Sequence, residues 1–259
     1  METGICLISA AAVRLEAHHK SEMVSQLLFG ERFHVIESGN EWLYIESLED
    51  VYRGWIWRPQ VEILDKKNKM LLQAYNSYVI TESFSRMSMA SGERSFMVGA
   101  GSTMYGAPGQ GFTLFGKTFM FEGEYKYFPK VSSGEDLAKL ATIFLHTPYL
   151  WGGRSVFGID CSGLVQIVCK IAGIAMPRDA SVQATKGKTI HLIHEAKAGD
   201  LCFFASEEKE ISHTGVLLDN EQIIHAYGRV RIDNIDHHGI FNTDTRKYSH
   251  TLRLIRRII

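Results

Sequence analysis

The hydrophobic pattern of this chain changes near residue 130, and this change limits its fold more than any other feature. Before it, short runs rich in Val, Ile, Tyr and Trp are separated by Gly, Asn and Asp, which is typical of β-strands joined by turns. The clearest runs are ERFHVIESG, EWLYIES and YRGWIWRPQVEIL. This half of the chain therefore predicts small β-barrels, one over residues 1–65 and a second β-rich domain over 66–130. We interpret Ile5 to Val13 as one first strand and Asp65 to Lys69, DKKNK, as a charged linker.

After residue 130 the pattern becomes helical and then returns to strands. The run SSGEDLAKLATIFLH has a serine cap and apolar residues at helical spacing, and Pro148 limits the helix. A second helix is predicted from Cys161 to Gly173, where glycine ends it. The segments GDLCFF, ISHTGVLL and QIIHAYG follow as strands. Helices followed by an antiparallel meander predict an α+β domain over residues 131–259.

Composition narrows the class of partner. The 259 residues carry a net charge of -1, which leaves no electrostatic footprint for nucleic acid or an anionic membrane. A small-molecule or peptide partner is expected. The four cysteines form no CxxC pair of the kind that binds zinc, and we expect neither a metal site nor a cofactor. Cys161 and Cys169 are too far apart on one predicted helix for a disulfide, so we expect reduced thiols. If Met1 is the native start, the lack of an export signal favours a cytoplasmic protein, and otherwise a periplasmic or extracytoplasmic one; we expect a monomer.

Cys161 begins the second predicted helix and has two interpretations. Backbone N–H groups at a helix start favour thiolate over thiol, so Cys161 is a candidate nucleophile. Cysteine is also often buried for packing alone, and the position by itself favours that interpretation. Asp160, directly before it, is a common type of helix N-cap.

His213 and His225 interrupt apolar strands on either side of the turn LLDNEQ, where a polar side chain calls for a partner. Pairing about Asp219 predicts that they lie nearly opposite each other on one sheet face, which needs a three-residue loop or a bulge. Two stacked imidazoles facing a thiol would supply a base and its orienting group. Four other histidines lie in polar surroundings and are predicted to be solvated: His191, His194, His237 and His238.

Ordered motifs from residue 133 to the end resemble the NlpC/p60 cysteine peptidases, which have a circularly arranged papain-like fold. These motifs are TPYLWGGRSVFGIDCSGLVQ, PRDASVQ, AGDLCFF, ISHTGVLL and IIHA. The runs SEMVSQLLFGERFHVIE and YRGWIWRPQVE are similar to bacterial SH3-like domains that precede this domain in γ-D-glutamyl-L-diamino-acid peptidases of cell-wall recycling. The region from Met70 to Phe128 resembles a second SH3-like barrel loosely.

The resemblance implies a role for each motif residue. Cys161 is then the nucleophile, His213 the general base, and His225 the residue that orients His213. Attack on an amide carbonyl gives a tetrahedral oxyanion and then an acyl-enzyme that water hydrolyses. We hypothesise that the Cys161 backbone N–H and the Tyr149 hydroxyl form the oxyanion hole.

The implied substrate is a murein tripeptide or tetrapeptide, L-Ala-γ-D-Glu-diaminopimelate or its lysine counterpart, cut after γ-D-Glu. Such enzymes require a free N-terminal amine. Asp160 and Glu22 match positions that would meet this ammonium, and Tyr52 would close the pocket. Further pocket candidates are Ser162 and Asp179. Ala180 follows PRD where relatives often carry a hydroxyl, so the resemblance implies that one substrate hydrogen bond is absent here.

Purely structural roles are the alternative for the predicted pocket residues. Asp160 serves equally as a helix cap, and Glu22 and Tyr52 as solvated loop residues. At the level of function, the alternatives are a non-catalytic module that binds cell-wall fragments, and an amidase or acyltransferase on the same fold.

Overall fold

The computed structural model describes residues 1–90, 95–106, 109, 111–127, 133–205 and 210–259. The chain forms two compact units. The first contains Met1–Pro129 together with Trp151–Val156, and the second contains Lys130–Leu150 and Phe157–Ile259. Among the described residues, no helix has both the length and the apolar character that crossing a membrane needs.

The first unit begins with a seven-stranded antiparallel sheet in the order β3-β2-β6-β5-β4-β1-β7. Its strands are β1 (Thr3–Ile5), β2 (Ala10–Arg14), β3 (Met23–Leu28), β4 (Arg32–Ser38), β5 (Trp42–Ser47), β6 (Arg53–Trp57) and β7 (Glu62–Ile63). Alternation places Phe33 and Val35 inside, with Leu43 and Ile45 from the neighbouring strand. The single strand predicted from Ile5 to Val13 is wrong, because the chain turns between β1 and β2 and pairs them with different neighbours.

Asp65 starts a helix, so the prediction of a linker at DKKNK is wrong. Helix α1 (Lys66–Ala74) has Asp65 as its N-cap, whose carboxylate accepts a hydrogen bond from the Asn68 N–H at 2.7 Å. Leu72 is buried on its inner face. Lys66 and Lys67 are exposed on its first turn, and exposed lysines at a helix start have the same sequence pattern as a charged loop.

The rest of the first unit is β-rich, as predicted. Its strands are β8 (Ser77–Ile80), β9 (Phe84–Met89), β10 (Ser95–Gly99), β11 (Thr103–Tyr105), β12 (Phe112–Leu114), β13 (Lys117–Glu122) and β14 (Tyr125–Lys126). They form a sheet in the order β10-β9-β13-β12 and another in the order β11-β8-β14. Their core also contains Ile5 and Phe29 from the first sheet region. The two β regions thus share a core, and a domain boundary at residue 65 stays a prediction.

The segment Trp151–Val156 belongs to this unit through Arg154. The Arg154 guanidinium contacts the Glu31 carboxylate at 2.8 and 3.1 Å, and its Nη1 also donates to the Gln26 backbone carbonyl. Both charged side chains are almost completely buried. The short strand β15 (Arg154–Ser155) lies in this segment.

The second unit is α+β, as the sequence predicts. Its helices are α2 (Gly134–Thr142), α3 (Cys161–Ile171) and α4 (Ala180–Gln183). Its strands are β16 (Gly158–Ile159), β17 (Lys188–Ile190), β18 (Leu201–Ala205), β19 (Ile211–Leu217), β20 (Gln222–Tyr227), β21 (Arg229–Ile235), β22 (Gly239–Asn242) and β23 (Lys247–Arg257). The sheet order is β17-β23-β18-β19-β20-β21-β22, and β22 also pairs with β23. The last six strands therefore close on themselves, and α3 packs against β19 and β20.

Candidate active site

Cys161 is the first residue of α3. Asp160 caps the helix, accepting a hydrogen bond from the Gly163 N–H at 2.7 Å, and the chain ends the helix before Gly173, whose positive φ of 76° suits glycine. The Cys161 sulfur accepts hydrogen bonds from the backbone N–H groups of Thr214 and Ser162. The thiol thus lies against β19, beside the residue that follows His213.

The histidine hairpin differs in register from the sequence prediction. Gly215, not His213, lies opposite His225. The paired numbers still have an even sum, so His213 and His225 share one sheet face as diagonal neighbours. The loop beyond the last pair, Leu217 with Ile223, spans five residues, and Asp219 shapes it by accepting the N–H groups of residues 221 and 222. The pairing predicted about Asp219 is therefore wrong in register, while the predicted shared face is confirmed.

The two imidazoles are hydrogen-bonded edge to face rather than stacked. His213 Nε2 lies 2.9 Å from His225 Nδ1, and the ring planes are 89° apart. The ring stacked on His213 is that of His250, with centroids 4.0 Å apart and planes 21° apart. His250 comes from β23, which sequence reasoning left unassigned. The sequence feature that could have identified His250 is a histidine within the last strand-like run, YSHTLRL.

Asp233 contacts His225 on the side away from His213. Its Oδ2 lies 3.1 Å from His225 Nε2, and its Oδ1 accepts a hydrogen bond from Arg231 Nη2 at 2.8 Å. Asp233 is 1% exposed. Sequence reasoning missed it as well, although an acidic residue at a buried position of an alternating strand, RVRIDNI, was a usable signal.

Burial disfavours the charged forms of the Cys161 thiol and the His213 imidazole. Burial first, and then the Asp160 carboxylate, raise the pKa of the Cys161 thiol to about 11, against the lowering effect of its two N–H donors. Burial also holds the pKa of His213 well below its ordinary value, and neighbouring His250 and His225 act in the same direction. At this thiol, burial therefore outweighs the helix start, which by itself favours a thiolate.

Tyr149 lies at the same centre. Burial, together with nearby Cys161 and Asp160, raises the pKa of its hydroxyl to about 12. The phenol therefore keeps its proton and can act as a hydrogen-bond donor. Its backbone is fixed by an N–H bond to the Gly228 carbonyl at 3.1 Å and by a bridge to Ile159.

Arg178 neutralises the residue before Cys161. Its Nη2 lies 2.5 Å from Asp160 Oδ2, and its Nη1 lies 3.1 Å from Asp160 Oδ1 and 2.7 Å from Ser162 Oγ. All three side chains are buried. Arg178 was not predicted as a site residue, although it stands in the PRD motif. Asp160 is thus a helix cap and an ion-pair partner, and its contact with a substrate amine stays a prediction.

The other predicted pocket residues lie in more open surroundings. Asp179 is exposed at the N-cap position of α4. In the first unit, exposed Glu22 accepts a hydrogen bond from the Trp151 indole N–H, and half-buried Tyr52 follows a positive-φ residue, Val51. The roles predicted for these three residues stay predictions.

Three neighbouring histidines are close enough to be considered as metal ligands. The ring nitrogens of His213, His225 and His250 lie within 4.8 Å of one another. A metal ion lies along the in-plane lone pair of each imidazole that binds it. The rings of His213 and His250 are nearly parallel and 4.0 Å apart, so their lone pairs do not converge on one point. The arrangement suits a stacked pair better than a metal centre.

The chain is similar in sequence to known proteins. Residues 146–248 match the NlpC/P60 family model, and residues 13–58 match the bacterial dipeptidyl-peptidase Sh3 domain. A γ-D-glutamyl-L-lysine dipeptidyl-peptidase of Bacillus subtilis is 31% identical over 217 residues, covering 78% of this chain and 71% of the relative. This chain belongs to the NlpC/P60 family.

Further relatives agree with this assignment. The dipeptidyl-peptidase 6 of Lysinibacillus sphaericus is 26% identical, covering 93% of this chain and 95% of the relative. The crystal structure of an NlpC/P60 protein from Bacillus cereus superposes with a TM-score of 0.83 at 19% identity, covering 99% of each chain, which shows a shared fold. The NlpC/P60 chain described here is a hydrolase of the peptidase class with an SH3-like domain before its peptidase domain.

Proposed function

We propose that this NlpC/P60 protein is a cysteine peptidase that cuts free murein peptides between γ-D-Glu and the diamino acid, diaminopimelate or Lys, in cell-wall peptide recycling. One observation carries the proposal. The sulfur of Cys161 accepts a hydrogen bond from the N–H of Thr214, the residue after His213, and His213 Nε2 lies 2.9 Å from His225 Nδ1. The names of the relatives, γ-D-glutamyl-L-lysine dipeptidyl-peptidase among them, support the bond class.

The chemistry begins with a neutral thiol and a neutral imidazole. His213 removes the thiol proton as the sulfur attacks the amide carbonyl, so charge develops on His213 and on the carbonyl oxygen only during the reaction. The protonated Tyr149 hydroxyl and the N–H of Cys161 are the proposed donors to that oxygen. His213 then gives its proton to the leaving amine. Water afterwards cleaves the acyl-enzyme: His213 removes a proton from the attacking water and returns it to the sulfur of Cys161.

Selection for an unblocked N-terminal L-Ala is the finer part of the proposal. An enzyme that needs this amine acts on released peptides, because stems attached to glycan carry no free L-Ala amine. A cytoplasmic location fits such a role and stays a prediction.

The deciding experiment is product analysis by mass spectrometry. Purified protein is incubated with L-Ala-γ-D-Glu-diaminopimelate, with its L-Lys counterpart and with the N-acetylated form of each peptide. We expect release of L-Ala-γ-D-Glu from the free-amine peptides and at least a tenfold lower kcat/KM for the acetylated ones.

The matched control is Cys161→Ala, which is expected to bind peptide without turning it over. Turnover by Cys161→Ala would move the nucleophile elsewhere. Wild-type protein that binds peptide but releases no product would support the binding module. Cleavage at a different bond, or lysis of intact sacculi as fast as cleavage of free tripeptide, would contradict the substrate assignment.

A further inference from the structure

We propose that Asp233 is a positioning residue that sets the direction of the hydrogen bonds through His225, so that His213 presents an unprotonated Nδ1 to the thiol of Cys161. The inference rests on the proposed function, because it assigns His213 the role of base. It concerns an acidic side chain that contacts His225 at Nε2, whereas His213 contacts the same ring at Nδ1.

The contacts show that Asp233 is held as an acceptor. Burial raises the pKa of its carboxyl, but hydrogen bonds from His225 and Arg231 outweigh burial, and the pKa lies below its ordinary value. Arg231 Nη2 donates to Oδ1 at 2.8 Å, and Nε lies 2.7 Å from Oδ2. The guanidinium is held in turn by Asp244 at 2.9 Å. An ionised carboxylate offers acceptors only.

The ionised state of Asp233 fixes the proton positions on His225 and His213. Because Asp233 can only accept, the proton between it and His225 belongs to His225 Nε2. A neutral imidazole carries one ring proton, so His225 Nδ1 is then an acceptor. His213 Nε2 must therefore donate across the 2.9 Å contact, which leaves the lone pair of the neutral ring on Nδ1.

Without Asp233 this direction is lost. The two histidines form an equally good hydrogen bond when His225 Nδ1 donates to His213 Nε2. In that arrangement the ring proton of His213 is on Nδ1. Nδ1 then cannot accept the proton of the thiol until the ring changes tautomer. The wrong tautomer of a base removes most of its catalytic effect while leaving the geometry intact.

The spectroscopic test uses the Cys161→Ala protein, so that it does not depend on turnover. Two-dimensional ¹H–¹⁵N NMR of its histidine rings reports which nitrogen of each ring carries the proton. We expect Nε2–H tautomers for both His213 and His225. In Cys161→Ala/Asp233→Ala we expect His225 to lose its fixed tautomer and His213 to show Nδ1–H in part.

The matched control is Cys161→Ala/Asp244→Ala, which removes the other carboxylate on Arg231 but no contact to His225. Both Nε2–H tautomers should persist there. A His213 proton on Nδ1 in Cys161→Ala itself overturns the inference, whether or not the Asp233 variant folds. Unchanged tautomers in a folded Asp233→Ala protein overturn it as well.

Kinetics in the chain that retains Cys161 give the second readout. Asp233→Ala should lower kcat by about tenfold to a thousandfold with KM within about threefold, because positioning of a general base acts on the chemical step. Asp244→Ala should keep kcat within about threefold. Equal kcat values for wild type and a folded Asp233→Ala overturn the inference and leave the proposed function standing, whereas turnover by Cys161→Ala overturns the proposed function alone.

Discussion

The Arg178 guanidinium lies against the Asp160 carboxylate, at 2.5 Å from Oδ2 and 3.1 Å from Oδ1, directly before Cys161 in the chain. Both side chains are buried, and the same carboxylate caps the helix that Cys161 begins. A residue expected to meet a substrate amine is thus already neutralised by the protein.

Asp160→Asn keeps a side chain that can cap α3 but leaves Arg178 buried without its counter-charge. We expect the free energy of unfolding in urea to fall by about 3 kcal/mol, the scale for removing one partner of a buried pair. Ser162→Ala, which removes a neutral acceptor of Arg178, should cost about 1 kcal/mol. A raised KM for free-amine peptides with unchanged unfolding would instead show that Asp160 acts only on substrate.

Alkylation of Cys161 by iodoacetamide should accelerate with pH across the range 7 to 10. The reactive species is the thiolate, and burial and Asp160 raise the pKa of this thiol to about 11. Cys169, with its pKa raised by burial to about 12, should label more slowly. The label is located by mass spectrometry, with Cys161→Ser as the control. A rate that is already at its plateau near pH 6 would reveal a resting thiolate–imidazolium pair.

Tyr149→Phe removes a hydroxyl that keeps its proton at all working pH values, since its pKa is raised to about 12. If this hydroxyl donates to the oxyanion, kcat should fall by about a hundredfold while KM changes little. Steady-state kinetics on the tripeptide measure both constants. An unchanged kcat would remove Tyr149 from the oxyanion hole.

Glu31→Gln should destabilise the first unit strongly. It leaves Arg154 buried without its carboxylate partner, and we expect a loss of about 3–5 kcal/mol in chemical denaturation. The matched control is Glu46→Gln at the exposed pair with Arg53, where the loss should be below about 1 kcal/mol. The double change Glu31→Leu/Arg154→Met should recover most of the stability, and equal effects at the two pairs would contradict the prediction.

Acid should destabilise the second unit through its buried imidazoles. Burial lowers the pKa of His250 to about 4, while the unfolded chain binds the same proton near its ordinary value of 6.5. The unfolded state therefore binds more protons between these pH values, and stability falls as pH decreases through that window. His250→Phe keeps a flat ring on His213 and removes this titration, so its Tm should drop less between pH 7 and pH 5. An equal drop in both proteins would contradict the assignment.

Much of the fold and three members of the candidate site, Cys161, His213 and His225, follow from local patterns. The change of periodicity near residue 130 and the capped start of α3 are properties of short segments, and these segments fold as their patterns indicate. His213 and His225 stood out because polar residues in apolar strands need partners. The linker at Asp65 was wrong because lysines on a solvent-facing helix side look like a charged loop.

Only the tertiary structure decided the arrangement of the site. The hairpin register placed Gly215 opposite His225, and closure of the sheet brought His250 onto His213 and Asp233 behind His225. Which residue meets which depends on strand register and sheet closure, which are set by packing over the whole unit and leave no mark in a local window. The sequence by itself indicated Cys161, His213 and His225 as candidate groups, whereas burial in the folded unit sets the direction of their pKa shifts, because desolvation acts only once the chain has closed around them.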